Sequence, residues 1–361
     1  MDTYLKNYKL KFKTLSPVFI GSGQQINKLE YILDGKRLYV VDMRTLMRDV
    51  VERGLTDSFY RFMHAKQQYL KSWLDSNGMR DYKKYAAYEL NGTENIDRSR
   101  SLKGIAAFIK NAYNEPYVPG SSIKGMLRTI ILWNKVYDNY DKHGKDRAQI
   151  KRTVREAESR RIKSELKRCS DSLEREYFTE KKDKDTEIKL MRGLIVGDSN
   201  PLTLDDIVLC KKIDVHPDGK EKEPNIFREC LRPGVEFECE LTIDANVFPY
   251  SADELEKMIT DYAKDYAYVV TDYFPECYRS AEDDKAVVLG GGAGYFSKTV
   301  TYSLFENDDA VDVVSGYMSK TTPRVHNHGK DRKIGISPHT QKCTEFRGNI
   351  YEMGKCSVEI I

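Results

Sequence analysis

The chain has 361 residues, with 59 Lys and Arg against 56 Asp and Glu, and a net charge of +3. At roughly 100–200 residues per domain this length predicts two domains, and the near-neutral balance indicates no class of partner by itself. No stretch approaches the ~18 uncharged apolar residues of a membrane span, which excludes an integral membrane protein. The N-terminal residues have no apolar signal region, so we do not expect a secreted protein. Seven cysteines without a CxxC pair predict reduced thiols, and we expect a cytoplasmic protein.

The first predicted elements are two strands and the start of a helix. Apolar and polar residues alternate from Leu10 through Phe12, and Val18 and Ile20 follow, which predicts a strand that ends in a turn at Gly21 and Gly23. Residues 38–41 predict a second strand, and the side chain of Asp42 is expected to cap the helix that follows.

The next segments have mostly helical patterns. Residues 56–115 are rich in Tyr, Lys and Arg, and they predict a helical insertion rather than a part of the core. The chain is expected to turn at residues 117–120. Ser121 or Ser122 then caps a helix whose apolar residues recur at helical spacing to about residue 136 or 140.

Positive charge is concentrated in one segment. Residues 145–168 contain ten Lys and Arg and four Asp and Glu, a local net charge of +6, so the rest of the chain sums to −3. A charged helix face of this kind is usually solvated, but such an excess also favours contact with a polyanion.

Strand patterns dominate from about residue 192. Residues 193–200, 207–215 and 234–244 are strand-like, and the last alternates apolar residues with Glu, which is typical of a sheet with one exposed face. Further elements are expected as a helix at 252–274, a strand at 286–289, a helix near 297–305 and two short strands at 350–352 and 357–361. Strands and helices are mixed without long parallel alternation. The pattern therefore predicts an α+β fold in two units, 1–190 and 191–361.

One candidate anion site lies at the start of the helix after residue 120. Free backbone N–H groups and the helix dipole attract anions at a helix N-terminus, and Lys124 and Arg128 share one face at positions i and i+4. Gly125 inside a helix costs about 1 kcal/mol relative to Ala, so it indicates a close approach by a phosphate backbone or another helix. The alternative is an ordinary capped helix with two surface cations.

A second candidate is a glycine-rich loop after a strand, formed by Gly290, Gly291, Gly292 and Gly294. Such a loop leaves its backbone open to a ligand. Its continuation resembles a nucleotide-binding Walker A loop, but Ser297 replaces the required last glycine, and the third glycine of a dinucleotide fingerprint is missing.

A phosphodiester backbone fits this loop better than a nucleotide. Tyr295 or Phe296 would be available to stack on a base, and the alternative is a merely flexible hairpin. His326, His328, His339 and Cys343 match no standard ligand spacing, so neither a metal nor a cofactor is predicted.

Several segments resemble signatures of a known family. Those that resemble the RAMP superfamily of CRISPR proteins are SPVFIGSG at 16–23, YVPGSSIKGMLRT at 117–129 and LGGGAGYFSKT at 289–299. Those that resemble the fifth Csm subunit of type III-A effector complexes are DSNPL at 198–202, RECLRPG at 228–234, GISPHTQK at 335–342 and YEMGKCSVEI at 351–360. The resemblance spans almost the whole chain. The charged insertion at 141–192 matches no motif.

This resemblance implies two RRM-like, ferredoxin-type domains with a helical, charged insertion. It implies a non-catalytic subunit that binds the 3′ part of the CRISPR RNA, docks against the Csm backbone subunits and caps their filament. It also implies support for guide maturation by recruited host nucleases. Carried over by position, the residues near RNA phosphates would be Ser121, Ser122, Lys124 and Arg128, and the RNA-facing loop would be Gly290, Gly291, Gly292 and Gly294 with Lys298 beside it.

Two other functions stay open at this point. A Cas6-type endoribonuclease also has tandem RRM-like domains and a glycine-rich loop, but it needs a general acid or base. The N-terminal half offers only His64 and His143 for that role. A backbone RAMP subunit that cuts target RNA would use an aspartate, for which Asp34 and Asp42 are candidates.

Overall fold

The computed structural model describes residues 4–65, 69–91, 104–182, 186–270, 273–274, 277, 286–322 and 324–361. Its strands are β1 (Leu5–Thr14), β2 (Gly21–Asn27), β3 (Tyr31–Asp34), β4 (Arg37–Val41), β5 (Ala86–Asn91), β6 (Gly104–Phe108), β7 (Thr179–Lys181), β8 (Glu187–Lys189), β9 (Leu194–Val196), β10 (Ile207–Lys211), β11 (Ile213–Val215), β12 (Glu221–Lys222), β13 (Phe227–Leu231), β14 (Glu236–Asp244), β15 (Val287–Val288), β16 (Gln341–Phe346), β17 (Asn349–Glu352) and β18 (Lys355–Ile360). Its α-helices are α1 (Met43–Glu52), α2 (Thr56–Met63), α3 (Leu70–Ser76), α4 (Gly120–Asp138), α5 (Gly144–Glu156), α6 (Ile162–Phe178), α7 (Ala252–Val269), α8 (Thr301–Leu304), α9 (Asn307–Thr321) and α10 (Asp331–Ile334). The predicted α+β class is confirmed.

The largest sheet has the strand order β15-β18-β1-β14-β9, with every neighbouring pair antiparallel. Leu10 and Phe12 of β1 are buried, and Phe12 stacks on Phe237 of β14 at 4.9 Å between ring centroids. The helices α4 and α7 contact each other, and they also contact β9 and β18 respectively. The apolar face of this sheet is therefore covered by two helices that lie far apart in sequence.

The strand order of the largest sheet is relevant to the predicted division of the chain into two domains. Strand β1 pairs with β14 and β18, so the sheet combines strands from both sides of residue 190. One continuous apolar cluster connects it to the other sheets apart from β7-β8, and a second, smaller cluster lies between β3-β4-β5 and the helices α1 to α3. The division into 1–190 and 191–361 stays a prediction.

The prediction of a helical insertion at 56–115 is wrong for residues 86–91 and 104–108, which form β5 and β6, and its residues 92–103 lie outside the described residues. Strand β6 lies inside the sheet β10-β13-β6-β2, where it pairs in parallel with β13 and antiparallel with β2. Ile105 and Phe108 are almost fully buried there. A short apolar run has no periodicity that separates strand from helix, and this explains the error.

The predicted turn at Gly21 and Gly23 is also wrong. Strand β1 already ends at Thr14, and both glycines lie in β2, where the register with β6 shifts between Gly21 and Gln25. Gly23 has φ +84°, which favours glycine, so the residue marks a bulge and not a turn. The predicted cap of α1 is confirmed, because Asp42 accepts a hydrogen bond from the backbone N–H of Arg44 at 3.0 Å.

The basic segment forms two helices, α5 and α6, which break at residues 157–161. Ile162 and Leu173 of α6 are buried, as their spacing predicts, while most of the cations are exposed. In the part of the chain that the structure describes, no helix combines the length and apolar character that crossing a membrane requires.

Candidate nucleic-acid interface

The N-terminus of α4 is not capped by the residues that the sequence predicted. Pro119 occupies the N-cap position, and neither Ser121 nor Ser122 caps the helix with its side chain. The first helical N–H, that of Gly120, donates to the Asp198 carboxylate at 2.8 Å. A methyl group built on Gly120 would lie 2.2 Å from the Val196 carbonyl oxygen, so only glycine allows this approach of helix to strand.

The Asp198 carboxylate changes what this helix end can bind. A carboxylate at a helix N-terminus offsets its partial positive charge and occupies one of its free donors. Anion binding at α4 therefore depends on side chains rather than on the helix terminus. The prediction missed Asp198, although it lies directly after a strand in the DSNPL segment.

Three of the predicted residues, Ser121, Lys124 and Arg128, line one groove. The groove has a volume of about 740 Å³, and residues of α6 and β8 form its other side. A methyl group on Gly125 would meet no atom within 4 Å, so the helix presents an open surface at that position. Ser122 does not line the groove.

The two cations of α4 have different environments. Arg128 forms an ion pair with Glu174, and its guanidinium lies 5.4 Å from the centre of the Phe178 ring. Lys124 has no ion pair with a described carboxylate, and partial burial lowers its pKa from the ordinary value. Lys124 is therefore the cation of this pair whose charge is available to a ligand.

The glycine-rich loop closes against the SPVFIG segment. The backbone N–H of Gly291 donates to the Phe19 carbonyl oxygen at 2.7 Å. Gly290, Gly292 and Gly294 have φ values of +83°, +79° and +90°, which residues other than glycine adopt only at a cost. Three positions of this loop therefore favour glycine.

Two basic side chains flank this loop. A methyl group on Gly292 would lie 3.3 Å from Cζ of Arg228, and one on Gly294 would lie 2.9 Å from Cγ of Lys342. The Arg228 guanidinium lies 5.6 Å from the centre of the Phe19 ring and pairs with no described carboxylate.

Lys342 differs from Arg228 in that its Nζ lies 2.7 Å from an oxygen of Asp214. Sequence reasoning missed Phe19, Arg228 and Lys342 as site residues. All three lie in the segments that carry the family resemblance, which is the signal that could have found them.

The residues that follow the glycine-rich loop do not have the positions that the sequence predicted. Phe296 is 2% exposed and packs on Tyr302, so the prediction that it stacks on a base is wrong. The Tyr295 hydroxyl lies 2.7 Å from that of Thr301. Lys298 lines a separate cavity of about 350 Å³ against α6, where two lysines of the basic segment also lie.

The residues considered for catalysis have structural partners. His143 is buried, with its ring nitrogens 2.9 Å from Asp146 and 2.6 Å from the Tyr177 hydroxyl. Asp42 caps α1, and Asp34 pairs with a lysine of α3. His64 is exposed at the end of α2 beside Tyr60.

Comparison with known proteins gives consistent matches. The model of the RAMP superfamily matches residues 11–279. The protein named CRISPR system Cms protein Csm5 of Mycobacterium tuberculosis is 30% identical over 384 aligned residues, which cover 100% of this chain and 99% of that protein. The protein of the same name from Streptococcus thermophilus is 25% identical, with 86% and 84% covered.

Solved structures show the same fold. A chain of a Csm-crRNA-target RNA ternary complex of a type III-A CRISPR-Cas system superposes with a TM-score of 0.67 at 20% identity, covering 98% of this chain and 100% of that one. The crystal structure of T. onnurineus Csm5 superposes with a TM-score of 0.63 at 18% identity, covering 96% and 99%. The chain therefore belongs to the RAMP superfamily and, within it, to the Csm5 family.

Proposed function

We propose that this chain is a subunit of a type III-A CRISPR effector complex that binds the 3′ part of the CRISPR RNA. In this role it caps the filament of Csm backbone subunits and supports guide maturation by recruited host nucleases in antiviral defence. The observation that carries the proposal is the position of the glycine-rich loop between two basic side chains, Arg228, which has no described carboxylate partner, and Lys342.

The fold proposal concerns the largest sheet. The elements β1, α4, β9, β14, α7 and β18 follow one another as in a βαββαβ ferredoxin-like unit. In the sheet the fourth strand lies beside the first, followed by the third and the second, and all neighbours are antiparallel. We propose that this is one RRM-like unit and that the sheet β10-β13-β6-β2 belongs to the second. On this proposal the first unit takes β1 from the part of the chain before residue 190 and β9, β14 and β18 from the part after it, so the unit crosses the predicted division at residue 190.

The chemistry of the loop favours recognition of a backbone rather than of bases. The donors beside it are the cations Arg228 and Lys342, and contacts between cations and phosphates carry no direct sequence information. Phe19 adds an aromatic ring beside Arg228 that a base could cover. We expect binding of single-stranded RNA with little base preference and an affinity that falls steeply with salt through counterion release.

A binding role also agrees with the environments of the titratable groups. A general acid or base must reach the scissile phosphate, whereas His143 is buried between two partners and Asp42 serves a helix cap. We therefore propose that the chain has no nuclease activity of its own. Cleavage of repeat RNA by the purified protein would instead support the Cas6-type function. Several copies along the filament, in place of one at its end, would support the function of a target-cleaving backbone subunit.

The test uses the effector complex assembled with Arg228→Gln in this subunit. We expect weaker guide binding, a salt dependence reduced by about one phosphate contact, and a guide whose 3′ end is trimmed irregularly. Arg48→Gln is the matched control, because it removes one exposed guanidinium from α1, which packs on the smaller apolar cluster. Equal behaviour of the two variants would remove the loop from the RNA path.

A further inference from the structure

Four of the six histidines of the chain gather in one place. His216 stacks on His339 at 5.3 Å between ring centroids, and His339 lies 4.9 Å from His328. His326 stacks on His328 at 6.2 Å. The four residues come from three segments: the end of β11, the segment before α10 and the segment before β16. Only the tertiary fold brings them together.

A buried carboxylate lies at the centre of this cluster. Asp331 has no exposed surface, and its two oxygens lie 2.9 Å from Nδ1 of His328 and 2.5 Å from Nδ1 of His339. Ser337 donates its hydroxyl proton to the same carboxylate at 2.6 Å. His328, Asp331 and His339 each offer one potential ligand atom, and these three atoms lie within 4.8 Å of one another.

We propose that His328, Asp331 and His339 form a binding site for a divalent transition metal, for which Zn²⁺ is the probe. Two imidazoles and one carboxylate are a common zinc ligand set, whereas Mg²⁺ and Ca²⁺ prefer oxygen ligands throughout. The imidazoles bind through Nδ1 as neutral ligands, so each ring carries its proton on Nε2. His216 is half-buried and stacks on His339 beside the set.

The ligand distances define the rearrangement that binding requires. At zinc–ligand distances of about 2.0–2.2 Å, tetrahedral ligands lie roughly 3.3 Å apart. The contacts of 2.9 Å and 2.5 Å are shorter than this and have the length of hydrogen bonds. Metal binding therefore exchanges two hydrogen bonds for coordination and lengthens each of these two contacts by less than about 1 Å. The rival view is that Asp331 only anchors this segment through its three donors.

The site lies close to the loop of the proposed RNA interface. His339 precedes Lys342 by three residues, and Lys342 packs against Gly294. β16, which contains Lys342, pairs with β11, the strand that leads to His216. A metal here would fix the segment before β16, which leads to Lys342. Metal binding itself does not depend on the proposed function.

The test measures metal in the full chain without a histidine tag. Protein treated with EDTA is dialysed against micromolar Zn²⁺, and bound metal is measured by mass spectrometry. We expect one zinc ion per chain, a higher melting temperature with zinc than with EDTA, and a visible Co²⁺ spectrum of tetrahedral intensity. His339→Gln and Asp331→Asn should lose the ion. His64→Gln, which changes an exposed histidine at the end of α2, should keep it.

The outcomes separate the two views. Wild-type protein without stoichiometric zinc, and with the same melting temperature in zinc and EDTA, would leave Asp331 as an anchor only and overturn the proposal. Equal loss of zinc in the His64→Gln and His339→Gln variants would overturn it as well. The zinc content and melting temperature of the wild-type protein decide the question by themselves, so the test remains valid even if a variant does not fold.

Discussion

Substitution of Gly290 by alanine tests the structure of the glycine-rich loop. The residue has φ +83°, and a methyl group there would lie 2.3 Å from the Phe19 carbonyl oxygen. That oxygen accepts the hydrogen bond of Gly291 that holds the loop against the SPVFIG segment. The added methyl group therefore strains the backbone and pushes apart the two segments that this hydrogen bond joins.

The cost can be worked out from these contacts. A left-handed conformation costs an L-residue about 1–2 kcal/mol, and the loss of one hydrogen bond costs about 0.5–1.5 kcal/mol. The sum is a destabilisation of about 1.5–3.5 kcal/mol. Since each kcal/mol shifts the melting temperature of a large domain by no more than about 2–4 °C, we expect a decrease of several degrees.

The assay combines thermal melting with titration of fluorescent single-stranded RNA. Gly291→Ala is the matched control, because Gly291 has no positive φ and a methyl group there would lie 3.4 Å from the nearest atom, an ordinary contact. We expect the control to melt near the wild-type temperature, while Gly290→Ala melts lower and binds RNA more weakly. The reasoning is refuted if the two variants behave alike.

Four further substitutions test other parts of the structure. Glu229→Gln removes a fully buried charge from its pair with Lys110, which is 8% exposed, and should lower the free energy of unfolding in urea by about 3–5 kcal/mol. Hydrogen bonds from a lysine, a tyrosine and an arginine lower the pKa of Asp49 to about 2 from 3.8. Its contribution to stability is therefore complete above pH 3.8 and is lost as the pH falls through about 2, so Asp49→Asn should flatten the acid dependence of urea unfolding in that window. Lys124→Ala should weaken RNA binding and change the free energy of unfolding by no more than about 0.5 kcal/mol. Arg128→Ala should reduce RNA affinity less, because a glutamate already pairs with its guanidinium. Equal losses of RNA affinity in the two variants would contradict this expectation.

Elements with strong local signals were predictable from the sequence. The alternation of apolar residues and Glu predicts β14, and the apolar spacing after residue 120 predicts α4. The cap at Asp42 was also correct, because the acceptor and the N–H that it binds lie two residues apart. In each case the residues that decide the structure are neighbours in sequence.

Features that depend on distant contacts were not predictable in this way. The cap of α4 comes from Asp198, 78 residues further along the chain. Strand β6 is recognisable only by its partners β2 and β13. The sequence around Phe296 does not reveal that its ring packs on Tyr302 and is therefore not available for stacking on a base. Local pattern cannot supply a partner from another segment, which explains each of these errors.

The same distinction decides which part of the interface contacts phosphate. Local rules favoured the N-terminus of α4, but Asp198 places a negative charge at that point. The glycine-rich loop has no such carboxylate among its described contacts, and its neighbours Arg228 and Lys342 come from strands β13 and β16. A polyanion is attracted by the summed charge around it and not by one helix end. We therefore expect the phosphate contacts to depend more on Arg228 than on the end of α4.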